Sequence, residues 1–158
     1  MTESKGRRIK RSISIDMNTI QFCTEEMLNR FGKIKYISTH IEQMKKEMQE
    51  KSNVQKVDNS SIEKGKSLTN IGIFRAYVKA YLIDNQMINK EMTLLARQLA
   101  PTEHGLPIEV YVFSKDKSWA NYENIQANIF DHILAVVPEF DLQVFQNPSG
   151  MDFNKVLA

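Results

Sequence analysis

The order in which apolar periodicity changes along this 158-residue chain constrains its fold more than any other feature. Apolar and polar residues alternate from Ile9 to Met17, which predicts a strand that ends near Phe22. Thr24 then predicts a helix N-cap, and apolar spacings of three and four predict one helix that continues to about residue 50. Its apolar positions are Met27, Phe31, Ile34, Ile37, Ile41, Met44 and Met48. The chain is therefore expected to begin with a strand followed by a long helix.

The middle of the chain predicts a loop and a second helix. Residues 51–68 have no sustained period and few large apolar groups, so we expect a mobile loop there. Asn70 is a suitable N-cap for the helix that follows. Apolar residues from Ile73 to Leu82 form one face of this helix, and Asp84 marks its expected end.

The last third of the chain predicts a hairpin, a third helix and a final strand. Residues 91–100 and 106–114 read as two strands joined by a loop that contains both Pro and Gly. Ser118 is the expected cap of the third helix, which Pro138 ends. Residues 140–145 alternate once more and predict a last strand.

This order of elements predicts an α+β fold of the ferredoxin-like kind, a split β-α-β sheet with an extra helix and a loop in the first crossover. The helices would cover one face of the sheet, and Ile108, Val110 and Val112 would point towards them. The other face would be partly exposed, and it would serve for docking or be covered by the loop or the C-terminal tail. Its expected residues are Glu109, Tyr111, Phe113, Asp141, Gln143 and Phe145.

Positive charge is concentrated at the N-terminus. Residues 1–12 hold five Lys or Arg and one acidic residue, so they carry +4, whereas the rest of the chain carries −2. Any nucleic-acid hypothesis is therefore confined to the basic stripe, which we define as Arg7, Arg8, Lys10 and Arg11. On a strand, Arg8 and Lys10 share one face, and Arg7 and Arg11 share the other. A solvated edge, a binding site for phosphates of lipid or RNA, and a lining that ions pass all fit this stripe.

Motifs for catalysis or metal binding are incomplete. Residues 65–67 (Gly-Lys-Ser) end like a phosphate-binding loop, but Ser60 stands where that pattern needs glycine. The single Cys23 has no nucleophile signature, and the three histidines have no ligand at helical spacing. They are His40, His104 and His132. We therefore predict no enzyme activity, no catalytic residue, no metal site and no cofactor.

Four segments of the chain resemble a known family. They are GRRIKRS (6–12), TNIGIFRAYVKAYL (69–82), MTLLARQLAPTEHGLPIEVYVFS (92–114) and WANYENIQANIFDHILAVVPEFDLQVFQNPSG (119–150). They resemble the C-terminal cytoplasmic portion of bacterial small-conductance-type mechanosensitive channels, in the miniconductance subfamily. The run LARQLAPTEHGLPIEVYVFSKDKSWANYE is the most specific part, and the resemblance is weak over residues 24–68.

The resemblance implies a channel subunit that opens under membrane tension and releases ions during osmotic downshock. Its pore-forming helices would lie upstream of Met1, the full-length protein would lie in the bacterial inner membrane, and this portion would be cytoplasmic. Seven identical subunits would form a hollow cage with side portals. Residues 1–12 would be the end of a β domain or a linker, 13–150 the α/β cage domain, and 151–158 a C-terminal tail.

The resemblance also assigns expected roles to surface residues. The basic stripe would line a portal or a subunit boundary, and Tyr111, Phe113 and Phe145 are candidate subunit-interface residues. The implied partners are identical subunits, permeating ions and the membrane through the upstream helices, and nucleic acid is not expected. The alternative is a cytosolic ferredoxin-like module that binds RNA or another ligand, with Tyr111 and Phe113 as stacking aromatics on its third strand. That strand lacks the Gly-aromatic pattern of RNA-recognition modules.

Overall fold

The computed structural model describes residues 6–55 and 68–147, in which four helices accompany one antiparallel sheet. The strands are β1 (Arg7–Ile15), β2 (Leu95–Gln98) and β3 (Leu106–Ser114), and the helices are α1 (Glu25–Phe31), α2 (Ser38–Gln55), α3 (Asn70–Asp84) and α4 (Trp119–Val136). Short 3₁₀ turns cover Met17–Thr19 and Val137–Phe140. The α+β class expected from the periodicity is thus confirmed. Among the described helices, none combines the length and the apolar character that crossing a bilayer requires.

The sheet has the order β1-β3-β2, and β3 pairs antiparallel with both neighbours. The predicted hairpin of β2 and β3 is confirmed, although β2 is only four residues long. β1 pairs with β3 over its whole length, from Arg7 opposite Ser114 to Ile15 opposite Leu106. The boundary drawn after residue 12 therefore falls inside a continuous strand, because the sequence on either side of it pairs with the same partner.

One face of the sheet packs against the helices. Ile108, Val110 and Val112 are at most 2% exposed and belong to the same apolar core as the inner faces of α3 and α4. The predicted orientation of these three residues is therefore correct. The helical residues that complete the core include Ile73, Phe74, Val78, Ile125, Ile129 and Ile133, which lie on the apolar faces that the sequence predicts for α3 and α4.

The predicted first helix is in fact two helices. Thr24 caps α1 as expected, since its Oγ1 accepts the Met27 N–H at 3.1 Å. The chain then turns, and Tyr36 adopts a left-handed φ of 75°, which a continuous α-helix cannot contain. The Tyr36 hydroxyl donates to the Asp84 carboxylate at 2.6 Å, so the turn connects to the end of α3. Apolar spacing persists across the break, and that is why periodicity alone did not reveal it.

The predicted mobile loop at 51–68 begins too early. α2 continues to Gln55, so residues 51–55 are helical in spite of their polar composition. These five residues are mostly polar and show no apolar period, so the sequence pattern could not distinguish this helical turn from a loop. Leu68, at the other end of the predicted loop, is buried in the core. Residues 56–67 lie outside the described part of the chain.

Thr69, and not Asn70, caps α3. The Thr69 Oγ1 accepts the Gly72 N–H at 3.1 Å, which is the usual capping bond. Asn70 is fully buried, and its amide joins two other segments. Its Oδ1 accepts the Gln21 N–H at 3.0 Å, and its Nδ2 donates to the carbonyl oxygens of Thr19 at 2.9 Å and Phe140 at 3.1 Å.

The C-terminal region departs from prediction at the last strand. α4 ends before Pro138, as expected, although the Ser118 side chain makes no capping bond at its start. Residues 140–145 do not form a full strand, because Asp141 takes a left-handed φ of 58° directly after a 3₁₀ turn. A single antiparallel bridge remains, between Ile15 and Val144.

Asp141 makes a two-pronged ion pair with Arg30 of α1, with both N···O distances at 2.7 Å. The hydrogen bonds from Arg30 hold the pKa of Asp141 below its ordinary value. A depressed pKa stabilises the folded state above the ordinary carboxyl pKa, and this contribution is lost as pH falls through the folded-state pKa. In urea unfolding we expect the wild-type chain to be more stable than Asp141→Asn by less than about 1 kcal/mol at pH 6. This difference should decline as the pH falls below about 4 and be lost at still lower pH. A difference that persists at pH 2 would contradict this, since Asn tolerates the same backbone conformation.

Candidate functional site

The two faces of β1 hold its cations in different ways. Arg7 and Arg11 lie on the helix side, where the Arg7 guanidinium carbon is 4.1 Å from the ring centre of Tyr122 and 4.8 Å from that of Trp119. The Arg11 guanidinium carbon lies 4.9 Å from the ring centre of Phe130. Cations over aromatic faces gain electrostatic attraction and packing. Half of the basic stripe is therefore packed against α4.

Arg8 and Lys10 lie on the opposite face, which we call the outer sheet face. It consists of Arg8, Lys10, Ser12 and Ser14 of β1 and Pro107, Glu109, Tyr111 and Phe113 of β3. Arg8 is opposite Phe113, and Lys10 is opposite Tyr111. Both cations are exposed, and neither forms an ion pair with any residue of the described ranges. The alternation of the sequence predicted this division of the stripe, but it did not show which pair would be packed.

The aromatic residues of this face are less open than predicted. Phe113 is only 7% exposed and lies outside the main core, and Tyr111 is half-buried with its ring edge-on to Phe113 at 5.7 Å. The backbone of Gly6 lies close to Phe113 and to Met92, because a Cβ added at Gly6 would lie 3.2 Å from both the Phe113 Cβ and the Met92 Sδ. The segment at Gly6 thus packs against Phe113. The two segments expected to cover this face, the loop at 51–68 and the C-terminal tail, lie largely outside the described residues.

Glu109 is also buried, where the sequence predicted an exposed residue. It is 6% exposed and pairs with Arg97, whose Nε and Nη2 lie 3.0 and 2.9 Å from the Glu109 Oε1. A buried carboxylate needs such a partner, because losing its hydration is costly. The hairpin register places the two residues directly opposite each other, and this pairing could have been found from the sequence. The negative charge of Glu109 is therefore neutralised within the sheet by Arg97, whereas the positive charges of Arg8 and Lys10 have no ion-pair partner among the described residues.

Three predicted residues of this face lie away from Tyr111 and Phe113. Phe145 donates its N–H to the Ser14 carbonyl at 2.8 Å and contacts His104, so it lies towards the other end of β1. Gln143 is exposed in the same bridged segment. Asp141 is not on this face, because its carboxylate is held by Arg30 of α1. Of the candidate interface residues, the structure thus brings together Tyr111 and Phe113 but not Phe145.

The remaining candidates for chemistry are scattered. His132 accepts from or donates to the Tyr77 hydroxyl at 2.7 Å and stacks on Tyr81, and burial lowers its pKa. Burial and the charge of Asp141 raise the pKa of the Cys23 thiol to about 11, which makes it a poor nucleophile near neutral pH.

The other two histidines have separate surroundings. His40 lines a cavity of about 460 Å³ between α2 and α3, together with Arg75 and Lys79. His104 is exposed in the hairpin loop. Over residues 6–55 and 68–147, no group of three or more His, Cys, Asp or Glu side chains could hold a metal ion. Residues 65–67, which resemble part of a phosphate-binding loop, lie outside these ranges.

No protein-family model matches the chain. The candidate site therefore rests on its own geometry, in which two exposed cations without ion-pair partners in the described chain lie opposite two aromatic residues on β3. Such a surface can attract anions or receive a partner chain, and it contains no nucleophile paired with a base.

Proposed function

We propose that this chain is a cage domain of a mechanosensitive-type ion channel, which opens under membrane tension and releases ions during osmotic downshock. The observation that carries the proposal is the outer sheet face, where Arg8 and Lys10 are exposed and unpaired within the described residues. The resemblance of four segments to the cytoplasmic portion of such channels supports it. In this proposal identical subunits form a heptamer, and helices upstream of Met1 lie in the bacterial inner membrane.

The topology is compatible with the ferredoxin-like fold that the proposal includes. The Ile15–Val144 bridge lies beside β1, on the side away from β3. The segment after α4 therefore follows β1 in the order last segment, β1, β3, β2. A split β-α-β fold with a short fourth strand has this order.

The cations would act on permeating ions through their field. At about 8 Å, one charge in water contributes about 0.5 kcal/mol, and screening at physiological salt reduces this to about 0.2 kcal/mol. Arg8 and Lys10 together would thus raise the local anion concentration about twofold. Arg7 and Arg11 would mainly hold β1 against α4, because their guanidinium groups already lie on aromatic rings.

The alternative, an RNA-binding module, has one observation in its favour. Tyr111 is half-buried and lies opposite Lys10, so a base could stack there beside a cation. However, Phe113 is only 7% exposed and offers little ring surface. The neighbouring outer positions of β1 are Ser12 and Ser14, which supply no second stacking platform.

The function can be tested by removing the free cations. In a channel that contains this domain, Arg8→Gln with Lys10→Gln should lower the anion preference or the conductance about twofold in patch-clamp recordings. Lys45→Gln with Lys46→Gln removes the same charge from exposed positions of α2 and is the matched control. Equal effects of the two double variants would contradict a role for the outer sheet face.

Two further observations separate the alternatives. The channel proposal requires apolar, membrane-spanning segments in the same reading frame upstream of Met1, and sequencing that region tests this directly. The RNA proposal requires the chain to bind single-stranded RNA in a salt-sensitive manner that Arg8→Gln with Lys10→Gln abolishes. RNA binding of this kind, together with unchanged channel currents, would overturn the channel proposal.

A further inference from the structure

The backbone of β1 has one side engaged and one side partly free. Backbone bonds from β3 towards β2 come from its odd-numbered residues, as the Leu99 N–H to Pro107 carbonyl bond shows. The even-numbered residues of β3 therefore bond to β1, and the register pairs them with the odd-numbered residues of β1. In an antiparallel pair the intervening residues point their N–H and C=O groups the other way. The outward groups of β1 are thus those of Arg8, Lys10, Ser12, Ser14 and Asp16.

Both ends of this outward edge are already occupied. The Ser14 carbonyl accepts the Phe145 N–H, and the Asp16 N–H donates to the Gln143 carbonyl, each at 2.8 Å. At the other end, the Tyr122 hydroxyl donates to the Arg8 carbonyl at 2.7 Å. Between them, the N–H and C=O groups of Lys10 and Ser12 bond to no described residue, and we call these groups the free edge of β1. The two bonds to residues 143 and 145 show that this edge accepts antiparallel backbone.

The side chains around the free edge specify the charge of a partner. A residue directly opposite Lys10 or Arg8 would lie beside that cation on the outer sheet face, and the cations have no ion-pair partner in the described chain. A residue opposite Arg11 would lie on the side of the Phe130 ring. Acidic residues at alternate positions, with apolar residues between them, fit this pattern.

We propose that the free edge of β1 binds an extended acidic segment of another protein as an added antiparallel strand. The free groups extend from Lys10 to Ser12, about 10 Å at about 3.4 Å per residue, and their two N–H and two C=O groups allow a short β-addition of up to four main-chain hydrogen bonds. Main-chain hydrogen bonds would supply much of the affinity, and the cations would select acidic side chains. This inference does not depend on the channel proposal.

A second copy of this chain is the less suitable occupant. Pairing β1 with β1 of another copy would place like charges against each other, which is unfavourable. The other described strands offer no alternating acidic pattern, since β2 has no acidic residue and β3 has only Glu109, which Arg97 already engages. The same basic edge therefore discourages self-association and favours a partner of opposite charge.

The test uses the full chain and a capped peptide with the sequence Glu-Val-Glu-Val-Glu-Val-Glu. Calorimetry at low ionic strength should detect binding, and the Lys-Val counterpart should not bind. Ser12→Pro removes one outward N–H without breaking a bond to β3, and Ser12→Val keeps that N–H and is the matched control. We expect Ser12→Pro to weaken binding at least tenfold and Ser12→Val to weaken it less than twofold.

A peptide methylated on alternate amides tests the same bonds without changing the protein, and its binding should also fall at least tenfold. Absence of binding to the wild-type chain would overturn the proposal, as would equal binding to Ser12→Pro and Ser12→Val. Equal binding of the basic peptide would overturn the charge argument. Binding that occurs only when residues 148–158 are deleted would assign the edge to the chain's own segment and not to another protein.

Discussion

Replacing Val110 with aspartate is expected to prevent folding. Val110 is 2% exposed at the centre of β3, and its side chain lies in the core between the sheet and the helices. An unpaired carboxylate at this position costs several kcal/mol, and proteins of this size are stable by only about 5–15 kcal/mol. Circular dichroism and thermal unfolding should show loss of the cooperative transition.

The neighbouring residue supplies the control for this variant. Tyr111 is half-buried on the outer sheet face and lies opposite Lys10, so Tyr111→Asp exposes its new charge to water and to a cation. We expect this variant to fold, with a weaker tendency to associate if the outer sheet face contacts other subunits. Similar stability of Val110→Asp and Tyr111→Asp would contradict the assignment of the two faces of β3.

Replacing Asn70 with aspartate should be the second most damaging change. The Asn70 amide nitrogen donates to the Thr19 and Phe140 carbonyl oxygens, and an aspartate oxygen at that position would face both without a proton. Leaving buried acceptors unsatisfied and burying a charge should together destabilise the fold by about 3–5 kcal/mol. Urea unfolding followed by tryptophan fluorescence or circular dichroism would measure this loss.

The adjacent cap residue separates the role of Asn70 from that of helix capping. Thr69→Ala removes only the bond to the Gly72 N–H and should destabilise the fold by about 1 kcal/mol. If Asn70→Asp and Thr69→Ala had equal effects, Asn70 would contribute to α3 locally and would not link separate segments of the chain.

Much of the secondary structure could be predicted because it depends on local spacing. The inner faces of α3 and α4 and the hairpin of β2 and β3 follow from apolar periodicity, which persists in the structure. The turn at Tyr36 could not be predicted in this way, because the apolar spacing continues through it. The hydroxyl that holds this turn bonds to Asp84, which is distant in sequence.

The candidate site, like the fold, could be predicted only where it depends on residues close in sequence. Charge and alternation predicted that Arg8 and Lys10 would share one face of a strand. They did not predict that Glu109 would be neutralised by Arg97 or that Phe113 would be buried next to the Gly6 backbone. Both features depend on which residues of other segments lie next to Glu109 and Phe113.

The sequence by itself determined the α+β class, the order of most elements, the inward face of β3 and the position of the basic stripe, because each follows from the spacing of residues close in the chain. Only the tertiary structure decided which cations have no ion-pair partner among the described residues, how Asn70 joins three segments, and that the β1 backbone between Arg8 and Ser14 bonds to no described residue on its outer side. Asn70 lies 49 residues from Gln21, and Arg30 lies 111 residues from Asp141. Contacts over such separations arise from packing of whole elements, and no local pattern in the sequence encodes them.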